Sequence, residues 1–214
     1  MARLPEYSRY RDCPISHEHD PLRFHYWPIL GRLYRRRIDG CVALLGSGRR
    51  VLDVGYGSGT SFLELGARFE EVHGLDTHDY GPSIASVFAR EGLTVRLERG
   101  SIVDPPYPDA TFDAVLAMSV LEHLKPEDQS GAMRQLHRVL RPGGVLAVGV
   151  PGLNAMMTLG FWLMGCNIRE HHFSSPQVVL AAAAERFAVE RVVRQPPWVP
   201  AGLETYVWFR GRRC

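Results

Sequence analysis

Gly55, Gly57 and Gly59 alternate with Tyr56 and Ser58 directly after the short run Val51-Leu52-Asp53-Val54. Glycines in a strand-to-helix loop let the backbone approach a ligand where a Cβ would intrude. The helix that follows would turn its N-terminal N–H groups, and the positive end of its dipole, toward the same place. Asp76 stands 21 residues after Gly55, at the end of the next apolar run. A carboxylate there can accept hydrogen bonds from both hydroxyls of a ribose. A dinucleotide loop would need a glycine in the sixth position of G-x-G-x-x-G, and Thr60 occupies it. The phosphate loop G-x-x-x-x-G-K-[ST] is absent too. The loop is therefore predicted to receive a nucleoside that carries no pyrophosphate.

Other groups could do chemistry. His123 follows Glu122 just past a fourth apolar run, and an imidazole with a pKa of about 6.5 suits a base at neutral pH. The same tetrapeptide, Leu121-Glu122-His123-Leu124, could equally serve only to cap the next element. His171 and His172 precede a helix start at Ser175 and could line a substrate mouth or lie on the surface. His17-Glu18-His19-Asp20, with His25, has metal-ligand residue types. A metal site needs convergent ligands with ordered partners behind them, and a proline-broken segment does not supply those, so no metal is expected. Asp104-Pro105-Pro106-Tyr107 spells a motif of amino-methyltransferases. It precedes the fourth strand instead of following it, so it is read as coincidence.

The elements that must hold these residues follow from periodicity. Apolar residues at Ile29, Leu33, Ile38, Val42 and Leu45 recur at roughly helical spacing, and Gly46-Ser47-Gly48 ends that helix. Strands are predicted at residues 50–54, 71–75, 93–97, 112–118, 145–150, 187–194 and 204–210. Helices are predicted at 60–69, 81–91, 126–140 and from Ser175. Continuous apolar strands alternating with helices mean a parallel sheet covered on both faces. The short link before the last strand implies antiparallel pairing there. The expected fold is α/β: a Rossmann-like, seven-stranded, mostly parallel sheet with the last strand antiparallel and an N-terminal helical cap. Residues 1–47 are read as a cap or lid segment with its helix, and residues 48–214 as the main domain.

Composition narrows the class. At 214 residues, with 45% hydrophobic and 22% charged residues, the chain reads as a globular domain and not a disordered or fibrous one. Cys13, Cys41, Cys166 and Cys214 are scattered, which argues against a disulfide scaffold or zinc ribbon and favours a reducing compartment. The first thirty residues are polar and broken by four prolines, unlike a signal peptide. The apolar run 155–166 is shorter than the roughly 20 residues that a membrane-spanning helix needs. Residues 1–50 carry ten arginines against five acids, whereas the rest carries fifteen bases against eighteen acids. That basic quarter could face an anionic partner or be a solvated helix face.

Taken together, these segments resemble the class I S-adenosylmethionine-dependent methyltransferases, in particular the compact small-molecule type. V-L-D-V-G-Y-G-S-G-T is similar to their first motif, and G-L-D-T to the second strand with its ribose acid. G-S-I-V-D-P-P-Y-P-D-A-T-F-D-A-V, L-E-H-L and V-L-R-P-G-G-V-L-A-V are similar to the segments that follow. The likeness covers roughly residues 48–190. It implies that Asp53, Gly55 and Gly57, with Tyr56 and Gly59 beside them, shape the methionine end of the cofactor pocket, Asp53 on the ammonium side. It implies that Asp76, with Thr77 next to it, holds the ribose, that Ser101 and Ile102 lie beside the adenine, and that Met118 and Ser119 close the pocket. The family usually has an acid where Ser101 stands and a smaller residue where Tyr56 stands.

The expectation is a methyl transfer from S-adenosyl-L-methionine to a small or lipid-like acceptor by direct displacement. His123, His171 and His172 are the candidate acid–base groups. The alternatives are a nucleic-acid amino-methyltransferase and a non-catalytic S-adenosylmethionine-binding partner protein. Nucleic acid is not the expected partner, and the oligomeric state is left open. Residues 1–27 and 155–166, rich in aromatic residues and methionine, are expected to form an apolar lid. The cluster Arg32 to Arg37 offers peripheral contact with an anionic membrane from the cytoplasmic side.

Overall fold

The computed structural model describes residues 1–14, 22–152, 154, 173–200 and 202–214. Seven strands form one sheet: β1 (Gly48–Val54), β2 (Phe69–Asp76), β3 (Val95–Arg99), β4 (Phe112–Met118), β5 (Leu140–Pro151), β6 (Ala188–Gln195) and β7 (Tyr206–Arg212). Their order is β3-β2-β1-β4-β5-β7-β6. Neighbours from β3 to β5 are parallel, and β7 is antiparallel to both β5 and β6. The last strand is thus antiparallel, as the short link requires, and it inserts between β5 and β6. Among the described residues, five α-helices flank the sheet: α1 (Leu30–Ala43), α2 (Phe62–Gly66), α3 (Gly81–Ala89), α4 (Pro126–Val139) and α5 (Pro176–Ala184).

The strands alternate between two cores, as a pleat with a side-chain period of two demands. Val51, Ala114, Leu116, Val145 and Ala147 face α1, α2 and α3, where they meet Ile38, Val42, Phe62, Leu65 and Phe88. Leu52, Val54, Val115, Ala117, Leu146 and Val148 face α4 and α5, where they meet Leu136, Val139, Val179 and Ala183. The N-terminal segment shares the first of these cores: Ala2, Tyr10 and Leu22 are buried in it. Arg3 reaches Glu64 through its backbone N–H (3.0 Å) and its Nε (3.2 Å), and the Tyr26 hydroxyl donates to the Pro5 carbonyl at 2.5 Å.

Several element ends differ from the periodicity reading. The helix expected at 60–69 is confined to α2, because Phe69 is buried as the first residue of β2. β5 begins at Leu140 and not at residue 145. Leu140 is already extended and pairs with Phe112 across an irregularity, so Pro142-Gly143-Gly144 lies within the strand. β3 starts at Val95, two residues later than expected. Among the described residues, no helix is long and apolar enough to cross a membrane.

Candidate active site

The strand order reverses direction between β1 and β4. The carboxyl ends of these strands, with that of β2, open onto the crevice where doubly wound sheets bind ligands. The glycine loop leaves β1 at this point. Gly55, Gly57 and Gly59 have φ of +70°, +50° and +74°, a left-handed region that an L side chain rarely adopts. For two of them the tighter constraint comes from within the protein. A Cβ on Gly55 would stand 2.6 Å from Val120 Cγ2, and one on Gly59 would stand 2.6 Å from Phe62 and 2.7 Å from Phe88. These two glycines are required by packing beneath the loop, a constraint that adds to the approach of a ligand read from the sequence.

Asp76 ends β2 and faces the loop. Its Oδ2 accepts the Gly57 N–H at 2.9 Å and its Oδ1 accepts the Thr77 N–H at 2.7 Å. Each carboxylate oxygen retains a further lone pair for a hydroxyl. His78 Nε2 lies 3.1 Å from the Gly57 carbonyl and 3.6 Å from Asp76 Oδ2, and its ring stacks on Tyr80 at 3.7 Å. Tyr56 meets His78 edge-on at 4.8 Å and is buried against Phe62. The larger residue at position 56 therefore fills space inside the protein. The chain leaves β3 so that Gly100 donates to the Asp76 carbonyl at 2.8 Å. Ser101 follows directly, and Ile102 is buried in the core cluster that also holds Leu75. Asp53 with the glycines, Asp76 with Thr77, Ser101 with Ile102, and Met118 with Ser119 thus lie at or just after the carboxyl ends of β1, β2, β3 and β4 in turn.

Asp53 is fully inside, at 3% exposure, and accepts a hydrogen bond from the Ser61 hydroxyl. Burial pushes its carboxyl up to about 7; the Ser61 bond pulls it down and the Asp76 charge pushes it up again. It is in no ion pair among the described residues. A cation placed beside it would offset the cost of burying its charge.

A second polar group closes the other side. Ser119, at the end of β4 with φ +54°, donates its N–H to the Gly149 carbonyl at 2.8 Å, and its hydroxyl lies 2.9 Å from that of Tyr206. Gly149 is required there: a Cβ would stand 2.5 Å from both Cys41 Sγ and the Tyr206 hydroxyl. Arg37 of α1 is buried, with its guanidinium carbon 4.7 Å from the ring centres of Tyr34 and Tyr206. Glu122 completes the group. Its side chain is 1% exposed, and its Oε2 has no hydrogen-bond partner among the described residues. Burial drives it up to about 8, against the pull of its own backbone N–H and of Arg37.

Local structure explains why the acid points in and His123 is exposed. Gln129 Nε2 of α4 donates to the Leu121 carbonyl at 2.6 Å, and the Ser174 hydroxyl donates to Leu124 at 2.7 Å. The N–H groups of Phe173 and Ser174 both reach the Glu122 carbonyl. The turn is clamped from both sides with Glu122 inward. Sequence reasoning singled out His123 and missed Glu122, Arg37, Ser61, His78 and Tyr206. An acid directly after the apolar Leu121, itself at the end of an apolar run, was the one available signal. His171 and His172 lie outside the described residues, as do His17 to Asp20 and the run 155–166. Tyr107 of the D-P-P-Y segment packs its ring between His73 and Phe112, away from the end of β4.

Residues 52–148 match the family model described as a methyltransferase domain. That match covers less than half of the chain. Over 106 residues it is 38% identical to the sterol 24-C-methyltransferase of Aspergillus fumigatus, a match covering 47% of this chain and 27% of that one. Over 117 residues it is 34% identical to the demethylmenaquinone methyltransferase of Deinococcus radiodurans, covering 53% and 47%. The chain thus spans less than half the length of these relatives. Among solved structures, the N-methyltransferase NodS of Bradyrhizobium japonicum, in complex with S-adenosylhomocysteine, shares the fold. Its TM-score is 0.70 at 17% identity, over 92% of this chain and 95% of that one.

Proposed function

We propose that this methyltransferase domain transfers a methyl group from S-adenosylmethionine to a small or lipid-like acceptor. The observation that carries the reading is the pair of acids at adjacent strand ends. Asp76 is held by Gly57 and Thr77 with lone pairs left for ribose hydroxyls, and the buried Asp53 is in no ion pair among the described residues. Both fit the cofactor, with the ammonium group beside Asp53 and the ribose on Asp76. Ser101 and Ile102 would lie beside the adenine, and Met118 and Ser119 would close the methyl end. When bound, S-adenosylmethionine supplies a methyl group on a sulfonium, which an acceptor atom displaces directly to leave a neutral thioether.

The protein's part is chiefly to align nucleophile, methyl and sulfur. A base is needed only when the acceptor starts protonated. Glu122, held up to about 8 at the end of β4, has the proton affinity for that task near neutral pH. Support for a lipid-like acceptor comes from the sterol and demethylmenaquinone for which the two relatives are named.

The test is incubation of the protein with methyl-tritiated S-adenosylmethionine and fractions of a total cell extract. Label should pass to an organic-soluble, low-molecular-mass product, and Glu122→Gln should lower turnover without weakening cofactor binding. Label recovered in RNA or DNA, resistant to organic extraction, would replace this reading with the nucleic-acid one.

A further inference from the structure

The turn that leads into α1 carries an exposed apolar surface. At the start of α1, Trp27 and Ile29 are 51% and 84% exposed, with Pro28 exposed between them. The residues around them hold this apolar knuckle in place. Trp27 meets Phe24 edge-on at 5.1 Å, and Gly31 donates its N–H to the Trp27 carbonyl at 2.9 Å. Gly31 allows the turn to close, since a Cβ there would stand 2.4 Å from the His25 carbonyl oxygen. That same carbonyl accepts Arg35 Nε at 3.2 Å, and His25 itself is buried against Tyr34. Trp27 and Ile29 are therefore presented outward by a packed scaffold.

Charge surrounds the knuckle on two sides. Arg32 and Arg36 follow Ile29 at spacings of three and seven, so all three share one face of α1. On the other side the Arg23 guanidinium lies 4.8 Å over the Phe24 ring. Arg23, Arg32 and Arg36 are exposed and are in no ion pair among the described residues. Asp39, the acid of α1, pairs instead with the N-terminal ammonium at 3.9 Å. The positive end of the α1 dipole adds to the same sign. The arginine cluster read from the sequence is thus divided: Arg37 is buried in the site and Arg35 is bonded to a backbone carbonyl, leaving Arg32 and Arg36 with Arg23 for the surface.

We infer that Trp27, Pro28 and Ile29, ringed by Arg23, Arg32 and Arg36, dock this domain on an anionic lipid bilayer. An amphipathic indole and an exposed isoleucine suit the headgroup boundary, and unpaired arginines suit its negative surface potential. The inference stands independently of methyl transfer, because it rests on surface residues alone.

Co-sedimentation of the full chain with lipid vesicles tests it. Vesicles of phosphatidylcholine with about one third phosphatidylglycerol should bind the protein at low salt, and neutral phosphatidylcholine vesicles should not. Trp27→Ser with Ile29→Ser should weaken binding by about tenfold or more. Arg32→Gln with Arg36→Gln should weaken it on the order of thirtyfold. Both double variants alter exposed side chains, so their melting temperatures should match that of the parent. Failure to bind anionic vesicles at low salt would overturn the inference, as would binding that either double variant leaves unchanged. Self-association lost in the Trp27/Ile29 variant, with no vesicle binding by the parent, would overturn it in favour of a contact between copies of the chain.

Discussion

Asp76→Ala is expected to lower the affinity for S-adenosylhomocysteine by about two to four orders of magnitude. In the proposed pocket the carboxylate accepts two hydroxyls of the ribose, and each hydrogen bond to a charged group contributes about 1.5–3 kcal/mol. The same side chain accepts the N–H groups of Gly57 and Thr77, so the variant also loses the clamp on the glycine loop. Asp76→Asn separates the two effects. Its amide keeps one acceptor for the loop and offers a poorer partner to the ribose, so its loss should be intermediate. Isothermal titration of parent and variants reads all three values. Affinity within about threefold of the parent in Asp76→Ala would place the ribose elsewhere.

Glu122→Gln is expected to stabilise the protein, and to do so increasingly as the pH rises. The folded-state carboxyl titrates near 8 against an ordinary 4.5, so the fold favours its neutral form. Its contribution to stability is fully present below about 4.5 and is lost as the pH rises through about 8. At pH 9 the parent carries a buried anion, whereas the glutamine variant carries a neutral amide of the same shape. The difference should reach on the order of 4 kcal/mol, or roughly 10 °C in melting temperature, and should fall toward zero near pH 5. Asp53, raised from 3.8 to about 7, acts in the same direction and steepens the parent's decline between about pH 4 and 7. His25, lowered to about 4 by burial and by Arg37 and Arg35, acts at the other end. Its contribution is present above 6.5 and is lost as the pH falls through 4. Melting curves of parent and Glu122→Gln from pH 5 to 9 measure this; a difference independent of pH would show that Glu122 is not a buried neutral acid.

Much of the frame was legible in the residues. Val51-Leu52-Asp53-Val54 followed by three alternating glycines could only turn sharply out of a buried strand, and the next apolar run placed Asp76 opposite them. The continuous apolar strands required helices on both faces, and two cores are found there. What sequence could not supply was the direction in which single polar side chains point. Glu122 and His123 are neighbours with similar claims on catalysis. The clamps from Gln129 and Ser174 decide between them, and these come from another helix and from a segment fifty residues away. Arg37 reads as one more charge in a basic run, yet its ring partners Tyr34 and Tyr206 take it out of that run and into the interior. The insertion of β7 between β5 and β6 was equally hidden, because hairpin pairing fixes direction and not position in the sheet.

The ends of β1 and β2 should receive S-adenosylmethionine and not a dinucleotide. Thermal unfolding in the presence of S-adenosylhomocysteine, with NAD in parallel, tests it most directly. At a ligand concentration about 100 times its dissociation constant, S-adenosylhomocysteine should stabilise the protein by about 2.7 kcal/mol, a rise in melting temperature of roughly 5–10 °C. NAD at the same concentration should leave it unmoved. A rise with NAD and none with S-adenosylhomocysteine would contradict the account at its base.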